Sequence, residues 1–324
     1  MCDNLIIPPH LNAEVYRKDS NVSVMAHLDY IRMHNDGTTL IGCSELTGRY
    51  WNGGAKVLKT LEADTLDKLS VALPSGTADG CFIQNPDKLL LCQDSGSVSV
   101  WTHGTGAWAA WEEVMTVSEH DDAVMAVDCL DPVNHYVTVA ADGNIKVWDI
   151  NEMICENNYL GCHSMMITGV AVKPQSMSFA TCSLDRHVSL WDKDSTEKIS
   201  DLAVLDAGVR CLEWLNEDHL LVGDEAGVLS LIDMRSLKAP QPLITFPAPV
   251  HRIKFNKESN NVAVCCDNRI VSVYGVSEDY KLNLVYKDNR HNNYVRGMTW
   301  HSTDKQKLHT VGWDGAINTH FVQK

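Results

Sequence analysis

Residues 181–192 read T-C-S-L-D-R-H-V-S-L-W-D, and this stretch decides the fold of the 324-residue chain. Apolar and polar residues alternate before Trp191-Asp192, as they do on the two faces of a β-strand. Residues 184–186 form a tight-turn signal between this strand and an earlier one at residues 178–183. Residues 161–163, Gly-Cys-His, stand about twenty residues upstream. The stretch therefore predicts a β-hairpin preceded by a Gly-x-His turn.

The same hairpin pattern recurs along the chain with a nearly constant period. Turns that contain aspartate and the strand ends that follow them both repeat every 39–48 residues. The turns are at Asp94, Asp142, Asp185, Asp224, Asp267 and Asp314, and the strand ends are at Trp101, Trp148, Trp191, Ile232, Tyr274 and His320. A period of about 40–45 residues is typical of the WD40 repeat, which forms one four-stranded blade of a β-propeller. Two landmarks with one period indicate six such blades.

A seventh blade precedes these six, so the sequence predicts an all-β, seven-bladed WD40 β-propeller. We expect its inner strand at residues 39–44, a partner strand at residues 48–51 and a loop at residues 61–77. The predicted propeller spans residues 21–324, and residues 1–20 form a partly extended N-terminal segment. Because the chain ends after a third strand, residues 14–18 are expected to supply the missing outer strand of the last blade.

Composition narrows the function classes. The formal charge is −15, which disfavours nucleic acid and anionic membranes as partners and favours basic ones. The 11 cysteines include no Cys-x-x-Cys pair, as expected for small buried side chains in a reducing compartment. The N-terminus has no basic start followed by an apolar run, so we predict no secretory signal and a cytoplasmic and nuclear location.

One set of residues in the fourth repeat has two interpretations. His163, Ser183 (or Thr181) and Asp185 resemble the base, nucleophile and acid of a hydrolase. With Trp191 they also form a plausible hydrogen-bond chain that staples a blade together. Partial versions recur at His120, Asp142 and Trp148 and at His291 and Asp314, and a catalytic site has no reason to recur in each blade. We therefore predict a structural staple and no catalytic residues, metal or cofactor.

Residues 45–54, E-L-T-G-R-Y-W-N-G-G, are the most informative surface segment. Trp51 is either the core tryptophan of the first blade or an exposed anchor on a short loop. The Asn-Gly-Gly that follows favours a tight loop with positive backbone angles. Tryptophan beside arginine is typical of a protein-binding hot spot. The candidate partner-binding residues are Arg49, Tyr50, Trp51 and Asn52.

Four stretches resemble the methylosome WD-repeat family, the non-catalytic partners of the symmetric type II protein arginine methyltransferase. They are residues 33–51, residues 94–101, residues 120–122 with 145–149, and residues 295–314. The resemblance is weakest in the fifth and sixth repeats, where Ile232 and Tyr274 replace tryptophan. The divergence is that of an insect-type member.

This resemblance implies a scaffold. It implies that Trp51, with Arg49 beside it, inserts into the methyltransferase, and that the protein helps to present Arg-rich substrates such as Sm proteins and histone tails. It also implies a hetero-oligomer and a link to Tudor-domain proteins. The alternative is a generic WD40 adaptor, such as a ubiquitin-ligase or chromatin-reader subunit.

Overall fold

The computed structural model describes residues 27–45, 51–61, 70–105, 109–131, 133–236 and 239–322. Their strands form seven antiparallel sheets in chain order, which are the blades of a propeller. The all-β, seven-bladed prediction is therefore confirmed. Within these ranges no helix has the length and apolarity that crossing a membrane requires.

Each blade is a meander in which consecutive strands pair, with the first strand nearest the propeller axis. Blades one to three contain β1 (His27–Met33), β2 (Thr39–Ser44), β3 (Gly53–Leu58), β4 (Val71–Leu73), β5 (Gly80–Ile83), β6 (Asn85–Cys92), β7 (Ser97–His103), β8 (Trp111–Ser118), β9 (Val124–Asp131), β10 (His135–Ala140), β11 (Ile145–Asp149) and β12 (Ile154–Tyr159). Blades four and five contain β13 (Ile167–Val172), β14 (Ser178–Ser183), β15 (His187–Asp192), β16 (Ser200–Val204), β17 (Val209–Trp214), β18 (His219–Asp224), β19 (Val228–Asp233) and β20 (Gln241–Thr245). Blades six and seven contain β21 (Val250–Asn256), β22 (Asn261–Cys266), β23 (Val271–Val276), β24 (Leu282–Asp288), β25 (Val295–Trp300), β26 (Lys307–Gly312) and β27 (Ile317–Phe321).

The hydrophobic core lies between neighbouring blades rather than inside any one of them. One buried cluster joins Val188 and Leu190 of blade four to Trp214 and Ile232 of blade five. Second strands such as β14, whose sequence is S-F-A-T-C-S, are buried along almost their whole length because blades cover both of their faces. A blade therefore acquires its core only when its neighbours are in place.

Blade one differs from the sequence prediction. Residues 39–44 form the second strand, because β1 is hydrogen-bonded on the axial side of β2. The partner on its other side is β3, which begins at Gly53 and not at residue 48. The predicted loop at residues 61–77 contains the fourth strand β4, which pairs with β3. Strong turn residues near β4 concealed a strand of only three residues.

Blade seven has three described strands, β25, β26 and β27. The segment proposed to complete it, residues 1–20, lies outside the described residues, and so do residues 21–26 of the predicted propeller domain. Among the described residues, side chains contribute to the closure between blades seven and one. The Trp313 indole N–H donates to Asp29 Oδ1 at 2.9 Å, and its ring meets the His27 ring edge-on at 5.6 Å.

A β-bulge near the start of the innermost strand is common to six blades. One residue of the inner strand is left unpaired there, and its side chain points toward the propeller axis. The residues placed in this way are Asp29, Met125, Thr168, Arg210, His251 and Arg296, and all of them line one axial cavity. The repeat thus builds a ring of functional positions whose chemistry differs from blade to blade.

Candidate functional site

Trp51 is exposed and is not a core residue. Its side chain is 64% exposed, on the connection between β2 and β3. The Glu45 N–H donates to the Asn52 carbonyl at 2.9 Å and closes the base of this loop. Leu58, paired with Thr39, takes the strand position that tryptophan occupies in blades three and four, counted from the β-bulge of each blade. Arg49 and Tyr50 lie outside the described residues, and Asn52 is half-buried.

The glycines after Trp51 serve a purpose other than the predicted one. Gly53 and Gly54 do not have the positive φ expected of a tight loop, since they begin β3. A Cβ on Gly53 would lie 2.3 Å from the Ser75 carbonyl oxygen, so only glycine permits this close backbone approach. The close packing of Gly53 fixes the end of the loop that carries Trp51.

Trp51 shares a face of the propeller with the entrance to the axial cavity. His27, at the start of β1, pairs with Ser44, at the end of β2, so inner strands begin on the face where the β2–β3 connection lies. Leu184 and Trp313, from the corresponding turns of blades four and seven, line the cavity of about 410 Å³. A partner that covers this face can therefore contact both features.

The staple in blade four is a chain of four side chains. His163 Nδ1 lies 2.9 Å from Asp185 Oδ2, and His163 Nε2 lies 2.9 Å from Thr181 Oγ1. The Trp191 N–H donates to the same Thr181 oxygen at 2.9 Å. Each group is satisfied if the imidazole carries its proton on Nδ1 and the threonine hydroxyl donates to Nε2.

The central hydroxyl is Thr181, and the choice of Ser183 was wrong. Ser183 is two residues further along the strand, next to the turn. Its hydroxyl donates to the Met165 carbonyl and accepts the Asp185 N–H, both at 3.1 Å. The strand alternation places both hydroxyls on one face, so the pattern alone did not distinguish them.

The chain recurs in blades three and seven. In blade three, Thr138 accepts the Trp148 N–H at 2.8 Å and lies 2.9 Å from His120, which contacts Asp142 at 3.0 Å. In blade seven, Asp314, His291 and Thr310 repeat the arrangement, with His291 Nε2 2.8 Å from Thr310 Oγ1. Recurrence in three blades favours the structural interpretation of His163 and Asp185 over the hydrolase interpretation.

His320 replaces the tryptophan of this chain in blade seven. Its Nε2 lies 2.8 Å from Thr310 Oγ1, while Arg290 Nη2 donates to its Nδ1 at 3.0 Å. Because an arginine can only donate, Nδ1 accepts and Nε2 carries the proton. The neutral imidazole therefore imitates an indole N–H. Burial and, among smaller influences, the nearby Arg290 lower the pKa of His320 to about 4.

Because some of its buried histidines are neutral, the folded protein should lose stability in mild acid. Burial, assisted by the charges of His301 and Lys307, lowers the pKa of His309 to about 4. The unfolded chain, with a histidine pKa of about 6.5, takes up the proton first as the pH falls. The stabilisation is therefore complete above about pH 7 and is lost toward pH 4.

At pH 5 His309 alone should account for about 1–2 kcal/mol of this loss. Urea unfolding at pH 7 and pH 5 measures this, and His309→Asn should reduce the difference by that amount. An undiminished difference in the variant would show that His309 is not responsible.

A cation–π cluster stands where blade seven meets blade one. The Arg296 guanidinium lies 4.3 Å from the centroid of Trp313 and 5.0 Å from that of Tyr294. Asp29 accepts the Trp313 N–H, and burial raises the pKa of Asp29 to about 6. In the sequence, Arg296 and Trp313 stand out only as parts of a motif. The repeated position after the first residue of the inner strand in blades three to seven was the signal that could have identified the cavity lining.

His135, Asp149 and Glu156 are the described group whose ligand atoms lie close enough to hold a metal ion, all within 4.8 Å of one another. Glu156 is already paired with Lys193 Nζ at 3.2 Å and with His135 Nε2 at 3.2 Å. The charge of Glu156 is thus met by side chains of the chain itself.

The seven meander sheets and the recurrent His–Thr–Asp chains define the class of protein, a WD40-repeat β-propeller. In agreement, the family model "WD domain, G-beta repeat" matches residues 111–149 and 155–192. Each segment covers the last strand of one blade and the first three strands of the next, namely β8 to β11 and β12 to β15.

The particular resemblance is to a methylosome protein. Methylosome protein WDR77 of Xenopus laevis is 26% identical over 306 residues, which cover 90% of this chain and 88% of that protein. Autophagy-related protein 16 of Arabidopsis thaliana is 22% identical over 63% of this chain and 38% of its own length, and Protein NEDD1 of Bos taurus is 27% identical over 32% and 16%. The first of these similarities confirms the resemblance drawn from the sequence. The insect-type assignment stays a prediction.

Proposed function

We propose that this protein is a non-catalytic adaptor subunit of a methylosome, which binds a type II protein arginine methyltransferase through Trp51. The observation that carries the proposal is the 64% exposed indole on a loop anchored at both ends. Similarity over 90% of the chain to a protein named for the methylosome supports the choice of complex. Arg49, Tyr50 and Asn52 are the proposed neighbours of Trp51 in the interface.

An exposed tryptophan suits an interface for a physical reason. An indole buries a large apolar area, and its N–H gains a hydrogen-bond partner at the rim of a pocket. Tryptophan is enriched among residues whose truncation weakens binding most. The backbone bond from Glu45 to Asn52 limits the freedom of the loop, which lowers the entropy lost on binding.

Trp51→Ala is expected to weaken binding of the methyltransferase by about 2–4 kcal/mol, because the variant removes the apolar anchor. Co-expression followed by gel filtration and calorimetry measures the change. Phe321→Ala is the matched control, since Phe321 is a large aromatic residue, 61% exposed, in another blade. Unchanged co-purification of the Trp51 variant, or equal weakening by the two variants, would contradict the interface assignment.

The proposed second role is to help present Arg-rich substrates, such as Sm proteins and histone tails, to the enzyme. The formal charge of −15 supports this role, because an acidic surface attracts basic segments and raises their association rate. The proposal includes a hetero-oligomer located in cytoplasm and nucleus, with Tudor-domain proteins as further partners. A pull-down from both compartments with mass spectrometry tests these partners. Recovery of ubiquitin-ligase or chromatin subunits without a methyltransferase would favour the generic adaptor.

A further inference from the structure

Three arginines on neighbouring inner strands converge on the axial cavity. Arg210 is the second residue of β17, Arg252 the third of β21 and Arg296 the second of β25. All three line the cavity of about 410 Å³, which lies within the range of about 300–1,000 Å³ usual for ligand sites. Blades five, six and seven thus form a cationic wall.

Two of these arginines have unused hydrogen-bond donors. In the part of the chain that the structure describes, the side chains of Arg210 and Arg252 donate no hydrogen bond. Their ion pairs are long: Arg210 lies 3.6 Å from Glu225 and 3.7 Å from Asp267, and Arg252 lies 3.9 Å from Asp79. Their side chains are only 26% and 19% exposed. Each guanidinium has five N–H groups, and part-buried donors need an acceptor in the cavity.

The carboxylates nearby are largely committed to other cations. Asp79 forms a two-point pair with Arg32, at 2.7 and 3.3 Å. Asp267 accepts a 2.8 Å hydrogen bond from Arg296. The Nε atom of Arg296 is buried and has no partner. The imidazole of His251 is neutral, because burial and the surrounding arginines hold its pKa well below the usual range.

We propose that this wall is an oxyanion site for a phosphate group, with Arg210 and Arg252 as the main donors and Arg296 completing the site through Nε. A single arginine fork satisfies a carboxylate, whereas three converging guanidiniums match the larger number of oxygens and the double charge of a phosphate. Met125 and Thr168, from the inner strands of blades three and four, also line the cavity and offer apolar and hydroxyl contacts to the rest of the ligand. The phosphate can belong to a free small molecule or to a phosphorylated side chain. The inference does not rest on the proposed methyltransferase partnership.

Calorimetric titration of the full chain with inorganic phosphate, at ionic strength held constant with sodium chloride, tests the site. We expect saturable binding of one phosphate per chain. Arg252→Gln should weaken it about tenfold or more, because a charge-assisted donor pair is lost. Arg269→Gln is the matched control and should bind as the unaltered protein does, since Arg269 is an exposed arginine of the same blade that does not line the cavity.

A parallel titration with a short phosphoserine peptide separates the two sources of phosphate. Tighter binding of the peptide than of the free ion supports a phosphorylated side chain, and equal binding supports a free phosphate. Circular dichroism checks folding, and Arg210→Gln serves as the second variant if Arg252→Gln does not fold. The proposal is overturned if neither probe binds saturably, or if binding by the folded variants matches that of the Arg269→Gln control.

Discussion

Thr181→Val should lower the free energy of unfolding by about 2–5 kcal/mol, although the two side chains have nearly the same shape. The substitution removes the hydroxyl that serves both His163 Nε2 and the Trp191 N–H. Thr181 is fully buried and Trp191 is 4% exposed, so no water replaces the lost partner. Each buried polar group left unpaired costs about 1–3 kcal/mol, and two are left here. Urea unfolding at pH 7 measures the loss.

Ser183→Ala is the matched control for this variant. Its hydroxyl also makes two hydrogen bonds, but one joins the carbonyl of Met165, a residue whose side chain is 52% exposed, beside the turn. Ser183 is itself buried, but its partners are backbone groups of one exposed and one half-buried turn residue, so we expect a smaller cost of about 1 kcal/mol. A loss for Thr181→Val no greater than that for Ser183→Ala would show that the four-residue chain does not hold the blade. It would also reopen the hydrolase interpretation of His163 and Asp185.

The sequence predicted the blades well where two signals coincide. In blade four, the turn at Asp185 and the strand end at Trp191 fix both strands of the hairpin, β14 and β15, at the expected residues. Blade one has neither an aspartate turn nor a strand-end tryptophan after β2. The Trp51 landmark therefore shifted the predicted third strand by several residues. Propensity does not correct such a shift, because β3 begins with two glycines whose role is set by contact with Ser75.

The candidate surface was only partly predictable for a related reason. The neighbours of Trp51 left its exposure open, and the family resemblance favoured an exposed side chain. The axial arginines are separated by 42 and 44 residues in the chain. Nothing local distinguishes Arg210 from a solvent-exposed arginine on a strand. The β-bulge that turns it toward the axis is a property of the pairing between β17 and β18. Contacts across the propeller, such as that of Arg252 in blade six with Asp79 beside blade two, arise only when the ring closes.

Gly297→Ala should cost about 3 kcal/mol or more, because Gly297 lies in the seam that closes the ring. A Cβ there would lie 2.7 Å from the Ile31 N atom and 2.8 Å from the Tyr30 Cα atom, both in the backbone of blade one. It would also lie 2.6 Å from Val311 Cγ2. The Val311 side chain can rotate away, but the backbone atoms of blade one move only if β25 and β1 separate. The cost is therefore at or above the usual range for overpacking.

Gly275→Ala separates this effect from a general intolerance of alanine in strands. Gly275 is in β23, and a Cβ there would meet only the Val285 side chain at 3.4 Å and Asn261 Oδ1 at 3.7 Å. Since alanine loses less backbone entropy on folding than glycine, this control should be neutral or slightly stabilising. Thermal unfolding and limited proteolysis of both variants measure the difference.

Separation of β25 from β1 should also expose the Trp313 contact with Asp29, so cleavage near residues 27–33 should accelerate only in Gly297→Ala. Equal stability of the two variants would mean that the seam accommodates a methyl group and that ring closure does not depend on this backbone contact.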